Sequence, residues 1–167
     1  MQNLTLLKTL VAALSLFIAT SISAGPFDKG KMNVSLVVGA GTAFNQNYTI
    51  VGAGLDYFVL HGLQLGVDAQ AWLGGDRSIY KISPQARYVL DTGTSLKPYI
   101  GAFYRKTYIE NLDDLESVGG RAGVYLRTDG RYSLSAGVVF ENYLDCNDTV
   151  FNNCSETYPE LVFSFAI

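Results

Sequence analysis

Leu63-Gln-Leu-Gly-Val-Asp-Ala-Gln-Ala-Trp-Leu73 is written at a period of two: Leu63, Leu65, Val67, Ala69, Ala71 and Leu73 alternate with Gln64, Gly66, Asp68, Gln70 and Trp72. Successive side chains of a strand point to opposite faces, so this stretch has one oily face and one wet face. Similar alternation recurs along the chain, giving strand-like segments at about 31–44, 48–60, 63–73, 78–90, 96–108, 117–127, 132–144 and 157–167. Most of them exceed the roughly 5–6 residues usual in globular sheets and match the about 9–11 residues of a tilted membrane crossing.

The residues before the first strand carry one base, Lys8, no acid, an apolar run from Leu10 to Ala19, and small or polar residues up to Ala24. That pattern reads as a signal peptide over 1–24, leaving a single domain over 25–167. The apolar run is too short to cross a bilayer as a helix, which takes about 20 residues. Without Lys8 the chain holds 11 bases against 15 acids, a net charge of −4, which gives no footing for nucleic acid. Charged residues are 16% of the chain, below the roughly 25% of ordinary soluble domains. Low charge with no long apolar run fits a transmembrane β-barrel, whose lipid face is apolar only at every second position.

The rows opposite the apolar ones contain Asp56, Asp68, Lys81, Arg87, Arg105, Arg121, Arg127, Glu141 and Glu160, interleaved with glycines. A lone charge in lipid costs about 2–4 kcal/mol at the midplane, so this set is expected to face inward and pair. An eight-stranded barrel has room inside only for side chains. The expectation is therefore a lumen plugged by a charged network. Leu63, Leu65, Val67, Ala69, Ala71 and Leu73 and the corresponding rows of the other strands would then face lipid, with Asp68 and Gln70 in the plug.

Aromatic spacing points the same way. Tyr80 and Tyr88, and Tyr132 and Phe140, stand eight residues apart on the apolar row, roughly 20 Å of height at the usual rise and tilt and close to the ~25 Å apolar band of such barrels. Tyr57 and Phe165 fall at one end, Phe44 and Tyr104 at the other, so these eight are read as aromatic girdles. Links alternate in kind. His61-Gly62, Asp91–Ser95 and Thr128–Arg131 are tight, those near Asn45–Asn47 and Gly74–Arg77 are modest, and Ile109–Glu116 and Cys146–Cys154 are longer. Short turns on the periplasmic side and longer outer loops are the asymmetry of outer-membrane barrels. The two cysteines, in an exported chain, are expected to form a disulfide.

The segment Leu90-Asp-Thr-Gly-Thr-Ser-Leu-Lys-Pro-Tyr-Ile-Gly101 and the terminal Leu161-Val-Phe-Ser-Phe-Ala-Ile167 resemble the small eight-stranded outer-membrane β-barrel proteins of Gram-negative bacteria, of the OmpX and OmpA transmembrane-domain kind. The resemblance covers the whole mature chain. It implies an all-β, eight-stranded antiparallel up-and-down barrel in the outer membrane. It also implies an assembly signal in Leu161, Phe163, Phe165 and Ile167, where the usual last residue is Phe or Trp. Its implied partners are outer-membrane lipid and lipopolysaccharide, with periplasmic chaperones and the barrel-assembly machinery during biogenesis, and the chain would be a monomer.

Some relatives of that kind are enzymes that modify lipid A with a His and a Ser near the outer leaflet. The sole histidine here, His61, lies in an expected periplasmic turn, where a base cannot reach such a nucleophile. Glu110, Asp113, Asp114 and Glu116 could hold a divalent cation, but a solvated acidic loop is the simpler reading. The sequence is thus read as a non-enzymatic, porin-like surface protein with no metal and no cofactor. Its alternatives are a soluble lipocalin-like periplasmic barrel binding an apolar ligand, a lipid A-modifying enzyme, and a narrow channel.

Overall fold

Val, Ile, Tyr and Phe at alternate positions favour extended backbone with one face packed, and each such segment becomes a strand. The computed structural model describes residues 27–127, 131–144, 146 and 154–167, with only the backbone of Arg127. The expected signal peptide, the turn at 128–130 and the middle of the cysteine loop lie outside the described residues. The strands are β1 (Met32–Ala43), β2 (Gln46–Leu60), β3 (Leu63–Leu73), β4 (Ile79–Val89), β5 (Leu96–Ile109), β6 (Leu115–Arg127), β7 (Tyr132–Tyr143) and β8 (Ser155–Ala166). Each pairs antiparallel with its sequence neighbour, and β8 returns to β1 to close the barrel. Closure removes the unpaired sheet edges that would otherwise invite aggregation.

The opening segment behaves as its alternation requires. Gln64, Asp68, Gln70 and Trp72 are buried inside, while Leu65, Val67, Ala69 and Leu73 lie on the outer surface. The same holds around the barrel. Leu36, Val38, Ile82, Ile100, Val124, Val138 and Leu161 are exposed, whereas Lys81, Arg87, Arg105, Arg121 and Glu141 are buried. Such a distribution inverts that of a soluble domain, whose outer surface is polar, and removes the physical basis for a water-soluble lipocalin-like arrangement.

At one end of the barrel the β1–β2 connection is tighter than the sequence implies. Ala43 already pairs with Gln46, leaving Phe44 and Asn45 as a two-residue turn. Both have positive φ, 52° and 58°, the geometry that matches hairpin twist. Asn adopts it readily; Phe44 is held there by the ladder on either side. At the opposite end Gly62 (φ 76°) takes the corresponding place after His61. Inside, Gly123 faces Gly137 across β6 and β7, and a Cβ at either would collide with the Tyr99 hydroxyl. The pair of glycines is the slot that admits that ring.

Candidate functional site

The lumen is layered along its axis, and its middle layer is ionic. Arg105 Nη1 donates to Glu141 Oε2 at 2.7 Å and to the Tyr158 hydroxyl at 2.5 Å, and its Nε donates to Ser83 Oγ at 2.6 Å. Glu141 also accepts from Ser117 Oγ at 2.6 Å and from Lys81 Nζ at 3.1 Å. Lys81 in turn donates to the Tyr143 hydroxyl at 3.3 Å, lies 3.7 Å from Glu156, and sits 3.9 Å above the Trp72 ring. Below them, Asp68 lies 3.8 Å from Arg105 and 3.6 Å from Arg121, and Arg121 lies 3.5 Å from Glu160. Six strands, β3 to β8, contribute bases or acids to one cluster because their inward rows meet at neighbouring heights. Each charge has an opposite charge within reach, the condition under which buried ions are tolerated.

Asp56 and Arg87, the remaining described members of the expected set, meet through Gln85. Gln85 Nε2 donates to Asp56 Oδ1 at 3.0 Å, and Arg87 donates to Gln85 Oε1 at 3.3 Å and to the Tyr125 hydroxyl. The side chain of Arg127 lies outside the described residues.

Charges share the lumen with aromatic and aliphatic side chains that the sequence reading left out. Tyr48, Ile50, Trp72, Ile79, Phe103 and Tyr158 belong to a cluster extending toward the mouth at the β1–β2 turn. Phe27, Phe58, Val89, Tyr99 and Tyr125 close the other end. Phe27 precedes the first strand and turns back into the mouth, its ring 5.2 Å from that of Tyr125 and its carbonyl accepting from Gly62 N at 2.9 Å. Parity with Arg105 and Glu141 was the available signal for the strand members. For Phe27 there was none.

Phe44, Tyr57, Tyr80, Tyr88, Tyr104, Tyr132, Phe140 and Phe165 all stand on the outer surface, as do Leu161, Phe163 and Ile167 of the last strand and C-terminus. Cys146 and Cys154 are disulfide-bonded. In the acidic loop, Asp114 pairs with Lys106 at 3.4 Å and Glu110 accepts from Ser78 N at 3.5 Å. No grouping of metal-ligating side chains occurs among the described residues.

His61 is at the Phe27 end of the barrel with carboxylates on both sides: Asp28 Oδ1 at 2.7 Å from Nδ1 and Asp91 Oδ2 at 3.7 Å from Nε2. The Lys97 ammonium hydrogen-bonds Asp91 and, with the Gly93 N–H, holds that carboxyl below its usual range. This exposed cluster ties the segment before β1 to two turns. At the other end, a cavity of about 590 Å³ opens above the ionic layer. Ile79, Ile109 and Leu115 form part of its wall, with Lys81, Tyr143 and Glu156 toward its floor.

No protein-family model and no curated protein matches the chain. Solved structures do. The N-terminal β-barrel domain of Pseudomonas aeruginosa OprF matches with a TM-score of 0.66 at 15% identity, over 83% of this chain and 98% of that one. Neisserial surface protein A matches with a TM-score of 0.61 at 15% identity, over 81% and 95%. The outer membrane enzyme PagL matches with a TM-score of 0.51 at 19% identity, over 81% and 99%. The chain has the fold of small eight-stranded outer-membrane barrels, a fold that carries both enzymes and proteins described by their surface location.

Proposed function

We infer that the chain is a non-enzymatic integral outer-membrane protein, its lumen closed by the charged network and its outer loops serving structural or surface-interaction roles. The observation that carries this reading is Glu141, which holds Lys81, Arg105 and Ser117 together in the middle of the barrel. Trp72, Phe103 and Tyr158 pack beside these groups, and an eight-stranded barrel has an interior only about wide enough for side chains, which supports a closed path. Export by the 1–24 segment and insertion by way of Leu161, Phe163, Phe165 and Ile167 belong to the same reading. The disulfide-bonded loop at Cys146–Cys154 is the recognition element this reading favours, since binding residues concentrate on loops carried by a rigid scaffold.

Two experiments test it. In planar bilayers the refolded protein should show no unitary conductance, and Glu141→Ala should be the variant that admits ions if any does; steps from the wild type would favour a narrow channel. Overproduction should leave the lipid A mass spectrum unchanged. An altered spectrum would replace this reading with an enzyme of PagL-like fold. The position of His61 supports the non-enzymatic side, since it stands in the β2–β3 turn at the end of the barrel opposite the cavity.

A further inference from the structure

The seam between β1 and β8 does not close along its full length. Their register runs from Asn33 opposite Ala166 to Gly39 opposite Glu160 and stops there, although β1 continues through Ala43 and β8 begins at Ser155. Both edges remain held from behind, β1 by β2 as far as Ala43 opposite Gln46 and β8 by β7 as far as Asn142 opposite Ser155. Only the ladder pairing between them is missing.

Sequence supplies the cause. Ile167 N donates to Met32 O at 2.9 Å, and in an antiparallel ladder hydrogen-bonded pairs recur at every second residue. Counting up the seam gives Val34 with Phe165, Leu36 with Phe163 and Val38 with Leu161, so the next such pair would be Ala40 with Pro159. Proline has no N–H, and the Ala40 carbonyl has no donor opposite it. Pro84 provides the contrast. The β4–β5 ladder skips Ser83 and Pro84 but holds at Ile82 opposite Lys106 and Gln85 opposite Phe103, on either side.

The released edges line the outer cavity. Gly41 and Ala43 from β1, and Thr157 and Pro159 from β8, form its side. Trp72 stands behind them, its ring edge-on to Tyr158 at 5.2 Å and so near Gly41 that a Cβ there would lie 2.7 Å from the indole. The gap's height follows from the register. Thr157 is opposite Phe140 and Ala43 precedes Phe44, so the opening lies among the outer aromatic residues, where headgroups meet acyl chains.

The chemistry of the cavity defines its guest. Its size falls in the range of about 300–1,000 Å³ typical of ligand pockets. Its two charged lining residues, Lys81 and Glu156, lie 3.7 Å apart, and Glu141 beneath them is shared by Lys81 and Arg105, so the charges balance and leave none for an ionic headgroup. Thr107, 1% exposed, lines the cavity with its Oγ1 unpartnered among the described residues. We propose that the open β1–β8 seam is a lateral port through which an uncharged single-chain amphiphile of the outer leaflet enters the cavity. Its hydroxyl or ester reaches Thr107, and its chain passes Trp72 and trails through the seam into lipid. The inference rests on the membrane reading above.

Trp72 is the chain's one tryptophan, so its fluorescence reads the cavity directly. The protein is refolded into phosphatidylcholine vesicles and titrated with hexadecanol carrying bromine on its chain, a quencher that acts on contact. Migration on unheated gels verifies folding in every arm, so failure of the membrane reading would appear there and not in the quenching. Wild type should show saturable quenching, several-fold greater than Pro159→Val, which restores the missing N–H, and greater than Thr107→Phe, which fills the cavity. Acrylamide, arriving from water, should quench wild type and P159V alike. Absence of quenching in wild type, or equal quenching by the brominated alcohol in P159V, would overturn the port. Undiminished quenching in T107F would overturn the cavity as its destination.

Discussion

Arg105 Nη1 lies 2.7 Å from Glu141 Oε2, with both side chains shut off from solvent in the middle of the barrel. Breaking a buried pair by removing one partner leaves an uncompensated charge and costs about 3–5 kcal/mol. Glu141→Ala leaves Lys81 and Arg105 both without their shared acid and should fall in that range. Urea unfolding in lipid vesicles measures it; a loss below about 1 kcal/mol would mean that water already solvates the cluster.

Val67 is central in β3 and lies on the outer surface. Val67→Arg should destabilise the inserted barrel by about 2–4 kcal/mol, the cost of a base at the bilayer midplane. Equal stability of V67R and wild type in vesicles would mean that this face meets water.

Phe27 packs its ring on Phe58 and Tyr125 while Gly62 binds its carbonyl. Phe27→Ala should cost about 3 kcal/mol, at the lower end for a buried phenylalanine because the site opens to solvent. The temperature at which unheated gel migration changes is the readout, and an unshifted temperature would show that the segment before β1 is not part of the folded core.

Asp91 titrates below its ordinary value of 3.8 because Lys97 and Gly93 N–H stabilise its charged form. A carboxyl depressed on folding contributes stability above its unfolded value and loses it as pH falls through the folded one. Asp91→Asn should therefore be less stable than wild type at neutral pH, and the difference should vanish in acid. Unfolding midpoints across that range check the sign, and a difference that grows on acidification would contradict it. The carboxyl is half exposed, so the effect is small and screened by salt.

The period of two in Leu63–Leu73 and its relatives was enough for the barrel, because alternation assigns each residue a face and the charges say which face is inside. It was not enough for the lumen. Tyr99, Tyr125 and Phe103 share the parity of Arg105 and Glu141, yet an aromatic residue fits either face of a membrane barrel, so only packing reveals that Tyr99 and Tyr125 fill one end and that Phe103 lies against Arg105 and Arg121. Phe27 lies before any periodicity. The β1–β2 turn falls one residue earlier than Asn45–Asn47 implies, since Phe44 adopts a conformation that its own side chain disfavours. Pro159 was visible as an outward-facing residue, but its effect on Ala40 depends on the register of the first strand with the last. That pairing joins residues more than a hundred positions apart and no local pattern encodes it.

Fractionation of cells expressing the full chain tests the central claim most directly, that the apolar row faces lipid around a charged interior. The protein should remain with the outer membrane through osmotic shock and leave it only in detergent. Release in the aqueous periplasmic fraction would contradict the account.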